Sequence, residues 1–407
     1  MRNVAFVLPF AFETSLRFLR AALGVPGVRV GVVGADPLER LGPRVARRLA
    51  GHWQVRNPLN PGDLLRGVEG LARQMGPLDR LVGVLEELQV PLARVRAALE
   101  LPGMDVEAAL NFRDKARMKD VLRRAGVPCA RHRLASSAAE VQAFVDEVGL
   151  PVVLKPQAGA GARNTFRLDG QAQVQDALRA FPPSSAAPML LEEFVVGEEH
   201  SFDSVCVGGE LVWASVSRYL PGPLEVLRND WVQWCVLLPR DVSGPEYAPI
   251  RAAGRQALAA LGMETGLSHM EWFRRRDGTI AVSEVAARPP GAQITSLLSY
   301  AYDADLYKGW ARLVTGDAFA PPERRYAAGA VYLRGQGRGD RVVAVRGLER
   351  AQAEVGELVC EVELPRPGQP RAPGYEGEGF VIVRHSETAV VEEALGKILR
   401  TVRVELG

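Results

Sequence analysis

The sequence predicts a mixed α/β and α+β chain in three parts: an open α/β unit, a larger central domain, and a smaller β-rich unit at the C-terminus. Three observations carry this. Short apolar runs alternate with helical patterns up to about residue 105, as in a parallel sheet. Asp277-Gly278 lies between two β-rich runs, a strong hairpin signal because both turn positions need positive φ. After Pro322 the texture changes to short β runs and one last helix. A chain of 407 residues is also too long for one core. The boundaries fall at 1–108, 109–321 and 322–407.

Composition narrows the function. The apolar fraction is 47%, the charged fraction 24% and the formal net charge +2, ordinary values for a globular protein and too balanced for a large nucleic-acid face. Cys129, Cys206, Cys235 and Cys360 show no metal-ligand spacing, so they read as reduced thiols of a cytoplasmic protein. The apolar run to Phe12 is followed at once by Glu13 and Arg17, with no cleavage site for a signal peptide. No stretch is long enough to span a membrane. Of 50 basic residues only Lys115, Lys119, Lys155, Lys308 and Lys397 are lysines. A surviving lysine is therefore more apt to be one whose compact ammonium is needed.

Taken in order, Asn3–Phe10 and Val28–Val33 read as strands, each followed by a helix (Glu13–Leu23, Pro43–Ala50). Asp63–Met75 and Val90–Leu99 are further helices, with Leu81–Leu85 a strand between them. The first strand ends in Leu8-Pro9-Phe10, so no GxGxxG dinucleotide fingerprint is present. Leu101-Pro102-Gly103 breaks the pattern. Asn111 to Lys115 then leads into an amphipathic helix that stops at Gly126-Val127-Pro128, and Ser136-Ser137 can cap the next helix. Leu150 to Pro156 is a buried strand ending on Lys155. It runs into Gln157 to Arg163, a loop of small residues whose backbone N–H groups can close over an anion. The loop lacks the GK[ST] ending of a Walker A motif. Met189–Val195 is a strand, and a hairpin follows at Gly208-Gly209. Strands at Ala330–Leu333, Val342–Val345, Leu358–Leu364 and Phe380–Val383 and a helix near Val390–Arg400 complete the chain.

The hairpin at Asp277-Gly278 carries the chemistry. With a two-residue turn, Arg276 faces Thr279, and counting outwards puts Glu271 opposite Glu284 and His269 opposite Ala286. Facing carboxylates have Cβ atoms about 4.5–5.5 Å apart and repel unless a cation intervenes. A divalent metal with oxygen ligands turns that fault into a feature. On the same register Phe273 and Val282 share the glutamate face, and the second strand runs on to Arg288 before Pro289-Pro290-Gly291. The bland alternative is a solvated pair of glutamates.

These pieces, in this order, resemble the ATP-grasp superfamily of carboxylate ligases over nearly the whole chain. The resemblance implies an ATP-grasp fold with its lid at about 128–190. It also implies ATP and Mg²⁺ as cofactors and a carboxylate activated as an acyl phosphate for attack by an amine. Carried over by motif, Lys115 and Lys155 would reach the phosphates, with Gly159 and Gly161 in the covering loop. Glu192 would accept from the adenine amine, the backbone of Glu193 and Val195 would pair with the ring edge, and Glu199 would take the ribose hydroxyls. Glu271 and Glu284 match the metal carboxylates and Arg288 the arginine that steadies the acyl phosphate. One position departs: the family commonly has Asn as a further metal ligand where this chain has Ala286.

The expected partners are small-molecule carboxylate and amine substrates, with a homodimer admitted and neither nucleic acid nor membrane involved. Two rivals stand beside the ligase: a bicarbonate-using carboxylase of the biotin carboxylase kind, and a nucleotide-binding protein without catalysis. Lys119 reads as a surface residue. His269 is either beside the metals or an ordinary half-buried histidine. Trp231 and Trp234 either line a substrate pocket or pack.

Overall fold

A computed structural model describes residues 1–157, 165–229, 231–316 and 318–407. The N-terminal unit is a four-stranded parallel sheet in the order Gly51–Gln54, Val28–Gly34, Arg2–Leu8, Arg80–Val82. Its two central strands, Val28–Gly34 and Arg2–Leu8, are buried on both faces, which is why they read as continuous apolar runs. Val4, Phe6 and Leu8 pack with Leu16, Phe18 and Leu19 on one side. Ala5, Val7 and Val33 pack with Leu64, Val68 and Leu71 on the other. Asn60 caps the helix Pro61–Met75, accepting from the N–H groups of Gly62 and Asp63. The helix expected at Pro43–Ala50 is a single turn, Pro43–Ala46, because Gly51 already opens an extra strand. The strand expected at Leu81–Leu85 stops at Val82, and Glu86–Leu88 forms a 3₁₀ turn into the helix Gln89–Ala98.

The centre is an eight-stranded antiparallel sheet. Its order is Ile280–Ala286, Gly266–Arg274, Glu198–Val207, Glu210–Leu220, Trp234–Leu238, Ala327–Leu333, Gly379–His385, Val359–Glu363. The strands after Pro322 are thus not a separate β unit: Ala327–Leu333 pairs directly with Trp234–Leu238. What stands apart is a three-stranded sheet of Gly335–Gln336, Arg403–Leu406 and Val342–Arg346. The strand-to-strand patterns on both sides of Pro322 look alike in sequence, and only pairing over a hundred residues decides that they share one sheet.

The carboxylate hairpin reaches its expected pairing by an unexpected route. The turn holds three residues: Arg275 N donates to Thr279 O at 2.8 Å and Gly278, at φ +82°, lies in the left-handed region. Arg274 therefore pairs with Ile280, one step off the two-residue register, and Arg276 does not face Thr279. A bulge between Glu271 and Trp272 on one strand and Val282 and Glu284 on the other then inserts Ser283 and restores the register. Glu271 faces Glu284 and His269 faces Ala286, as expected. Val282 does not share their face. It lies opposite Trp272 and packs with it and Met270 in the core behind the sheet.

Residues 132–193 form a small sheet with its own core. Its strand order is His132–Ala135, Met189–Glu193, Val152–Lys155, Phe166–Leu168. The helices Ala138–Val148 and Gln171–Ala180 cover one face, with Phe144, Val152, Val174 and Leu191 between them. Ser137 caps the first of these helices as expected, accepting from Glu140 N at 3.3 Å. No helix among the described residues is long and apolar enough to cross a membrane.

Candidate active site

The small sheet, the eight-stranded sheet and the end of the N-terminal sheet meet around one pocket. It is lined by Lys115, Lys155, Glu192, Glu193, Val195, Glu199, Glu271, Glu284 and Arg288. Every described residue singled out from sequence for nucleotide, metal or acyl phosphate is therefore in one place. Gly159 and Gly161 lie outside the described residues.

Three of the five lysines converge here. Lys115 Nζ is hydrogen-bonded to Glu284 Oε1. Lys155 Nζ lies 2.8 Å from Glu192 Oε1. Burial works against the Lys155 charge, but Glu192 and then Glu284 outweigh it and hold its pKa above the usual value. Lys119 is not the surface residue its helical position suggested. It is fully buried (0% exposed), with Nζ 3.3 Å from Glu192 Oε2 and donating to Ser283 O at 3.0 Å. Ser283 is the bulge residue of the edge strand. Burial, only partly offset by Glu192, lowers the Lys119 pKa.

The segment carrying these lysines is tied to the Lys155 strand. Asp114 Oδ1 accepts from the N–H groups of Ala116 and Arg117 at 3.0 and 3.1 Å, capping the helix Lys115–Arg124. Asp114 Oδ2 accepts from the Gln157 side chain, and Lys115 N donates to Gln157 O at 3.0 Å. Gln157 is where the small-residue loop begins.

On the strand Met189–Glu193, Glu192 is buried with both oxygens facing lysines, and these hold its carboxyl below the usual range although burial opposes them. It anchors two ammoniums, and a bond to an adenine amine would have to use a remaining lone pair. Glu193 points its carboxylate away to Arg131 and Arg275, at 2.5 and 2.9 Å. The Val195 N–H has no acceptor among the described residues. Glu199 stands on the pocket wall against Gly222, where a Cβ would come within 2.1 Å of its Oε2. Burial, then the Glu271 charge, pushes its pKa well above the carboxylate range.

The two carboxylates that face each other differ in company. Glu284 is held to a pKa of about 2, burial being outweighed by Lys115 and Lys155. Glu271 has His269 Nε2 at 3.8 Å. His269 belongs to a buried chain: its Nδ1 is 2.6 Å from Asp203 Oδ1, and Asp203 Oδ2 accepts from Ser201 Oγ at 2.7 Å. Burial lowers the charge on His269, but Asp203 and Glu271 prevail and raise its pKa to about 9. With Nδ1 on Asp203, His269 turns Nε2 toward Glu271 and the Tyr219 hydroxyl, on the face that Ala286 leaves without a ligand.

Arg288 is gripped from the N-terminal unit. Its Nε and Nη2 lie 3.3 and 3.0 Å from Glu86 Oε2, while Glu86 Oε1 accepts from Arg113 at 2.9 Å. Glu86 is 5% exposed. The pocket is also walled by Tyr219, Trp234 and Tyr375. Trp231, by contrast, is 70% exposed. Sequence reasoning missed Glu86, Arg113, Asp203 and Tyr375. Glu86-Glu87 opening a helical turn looks like an ordinary solvated pair, and no local signal sets it apart.

Chemically, the arrangement offers two opposed oxygen-donor carboxylates, two ammoniums beside them, and one guanidinium fork with a fixed edge. These are the tools for holding a polyphosphate and neutralising charge that spreads during transfer.

Comparison with known proteins agrees. The family model for the ATP-grasp domain matches residues 120–297. The uncharacterized protein y4rH of Sinorhizobium fredii is 29% identical over 327 residues, 77% of this chain and 66% of that protein. The L-arginine-specific L-amino acid ligase of Bacillus subtilis is 25% identical over 240 residues, 58% of this chain and 57% of that one. The alignments thus span about two thirds or less of these relatives. The crystal structure of an L-amino acid ligase from Bacillus licheniformis superposes with a TM-score of 0.80 at 18% identity, covering 100% of this chain and 99% of that one. At that identity the likeness shows a shared fold.

Proposed function

We propose that this chain, which belongs to the ATP-grasp superfamily, is an ATP- and Mg²⁺-dependent ligase that activates a carboxylate as an acyl phosphate and joins it to an amine, forming ADP and phosphate. The observation that carries this is the convergence of Glu271 and Glu284 with Lys115, Lys155 and Arg288 on one pocket, from segments up to 173 positions apart in sequence. The likeness to amino acid ligases in both sequence and fold supports it.

The residues present fit a divalent cation. Glu271 and Glu284 are hard oxygen donors facing each other, and the Lys115 ammonium seated on Glu284 supports a place for positive charge there. They would hold Mg²⁺, which tolerates retained water and nucleotide oxygens where a protein ligand such as Asn is missing. Bound there, the metal would neutralise charge on the phosphoryl group. Lys155 and Lys115 would hold the phosphates, the backbone at Glu193 and Val195 the adenine edge, and Glu199 the ribose. Arg288, with Nε and Nη2 on Glu86 and Nη1 donating to Pro289 O at 2.9 Å, would present the remaining N–H of each terminal nitrogen to the acyl phosphate.

The test is release of ADP and of phosphate from MgATP across pairs of carboxylates and amines. Both products should appear in equal amounts and only when both substrates are present. AMP with pyrophosphate would rule out the acyl phosphate. Turnover on bicarbonate without an amine would favour the carboxylase rival, and ATP binding with no ADP from any pair would favour a non-catalytic binder.

A further inference from the structure

Resting on the ligase reading, we propose that the carboxylate activated here carries an apolar side chain of branched or aromatic size, bound in a cage of Tyr219, Trp234 and Tyr375 that Leu224 and Ile294 close.

The pocket has two ends of unlike chemistry. One is built from Lys155, Glu192, Glu193 and Val195 and suits a nucleotide. The other is made of the rings and aliphatic groups of Tyr219, Leu224, Trp234, Ile294 and Tyr375. Trp234 stands edge-on to both tyrosines, with ring centroids 5.3 Å from Tyr219 and 4.6 Å from Tyr375. It is in turn stacked on Tyr332 at 4.6 Å, and both are almost wholly buried. The cage floor is therefore fixed before any ligand arrives, which lowers the cost of binding. Tyr219 uses its hydroxyl toward His269 Nε2 at 3.4 Å, leaving its ring as the surface on offer.

The cage also lies where a side chain would have to go. Tyr375 lines the same pocket as Glu271, Glu284 and Arg288. A carboxylate held by Arg288 beside Glu271 would direct its substituent toward these rings. An anionic substituent there would lose its hydration and meet the charges of Glu271, Glu376 and Glu199, which all act on Tyr375. Apolar pockets with a few placed polar groups are how small ligands are generally oriented.

The test is ADP release by the wild-type enzyme with MgATP and pairs of amino acids, with the order of residues in the product read by tandem mass spectrometry. Phenylalanine, leucine or methionine should serve as the carboxylate donor, with Asp and Glu disfavoured as donors by about tenfold or more in kcat/KM. Leu224→Trp, which fills the cage, should reduce aromatic donors by about tenfold or more while sparing valine. Tyr375→Ala should raise the KM for the aromatic donor with the Kd for ATP unchanged. Preference for charged or glycine donors would overturn the proposal and leave the ligase reading intact. So would apolar residues found only in the amine position, with the variants changing amine KM alone. Absence of ADP from every pair would overturn the ligase reading itself.

Discussion

Arg288 is oriented by a residue that sequence gave no reason to notice. Glu86 Oε2 accepts from both Nε and Nη2 of Arg288, across 202 positions of sequence. Hydrogen bonds between charged groups contribute about 1.5–3 kcal/mol, so Glu86→Gln should lower kcat/KM by roughly 10- to 100-fold. The Kd for ATP should hardly move, since Glu86 faces the arginine and not the nucleotide residues. A weakened ATP affinity with turnover intact would remove Glu86 from this role. Lys119 poses a different balance. Burying an ammonium costs energy, and replacing a whole buried ion pair by apolar groups is often neutral, but removing one partner costs about 3–5 kcal/mol. Lys119→Met leaves Ser283 O without its donor, while Glu192 keeps Lys155. The expected loss is therefore near the low end, about 3 kcal/mol, measured by urea unfolding. A more stable Lys119→Met protein would show that desolvation of the ammonium exceeds its contacts. What made Glu271 and Glu284 legible was local: a hairpin turn relates their positions by counting. Glu86 and Lys119 were illegible because their partners are distant in sequence and their own neighbourhoods look like solvated helix. Lysine scarcity did point at Lys119, but helical spacing from Lys115 was read as exposure.

At the scale of elements, the helix Lys115–Arg124 and the strand Val152–Lys155 work as a pair because Asp114 holds them together. One of its oxygens caps the helix and the other takes the Gln157 side chain. Loss of an N-cap costs about 0.5–2 kcal/mol. Asp114→Ala should therefore lower thermal stability by that amount and also weaken ATP binding, since Lys115 and Lys155 lose their common tether. Asp114→Asn keeps a capping oxygen and should retain most of the stability. If Asp114→Ala lowers stability while the Kd for ATP stays at the wild-type value, the cap is structural only. The hairpin shows the other side of element-scale reading. Its pairing at Glu271 and Glu284 was reached from a two-residue turn, whereas the real turn has three residues and Ser283 makes up the difference. Near the turn the count was wrong and beyond the bulge it was right. A bulge leaves little trace in composition, because Ser283 and Glu284 are both acceptable strand residues on a half-buried face. It is nonetheless what separates Val282, packed against the core, from the carboxylate beside it.

For the whole molecule, the question is whether the N-terminal unit is an appendage or part of the machine. Its parallel sheet was legible from the alternation of strands and helices, but its docking was not, because packing between helices 300 residues apart has no sequence signature. Trp310, 2% exposed on the helix Leu306–Gly316, meets Phe18 at 5.0 Å and Phe6 at 6.0 Å between ring centroids. The same apolar cluster continues to Trp213, Trp234 and Tyr332 in the eight-stranded sheet. One core thus serves both units, so the N-terminal unit and the eight-stranded sheet should unfold together by near- and far-ultraviolet circular dichroism alike. Trp310→Ala opens a large cavity at their junction and should cost about 3–5 kcal/mol; Trp310→Phe keeps part of the packing and should cost less. The functional consequence follows from where each group comes from. The residues assigned to nucleotide and metal are supplied by positions 115–284, whereas the carboxylate that holds Arg288 is supplied by position 86. Loosening the junction should therefore lower turnover through Arg288 while leaving the Kd for ATP close to that of the wild type. Calorimetric ATP binding beside the ADP-release assay on Trp310→Phe decides it: equal losses in both would mean that the nucleotide half depends on the N-terminal unit for its own shape.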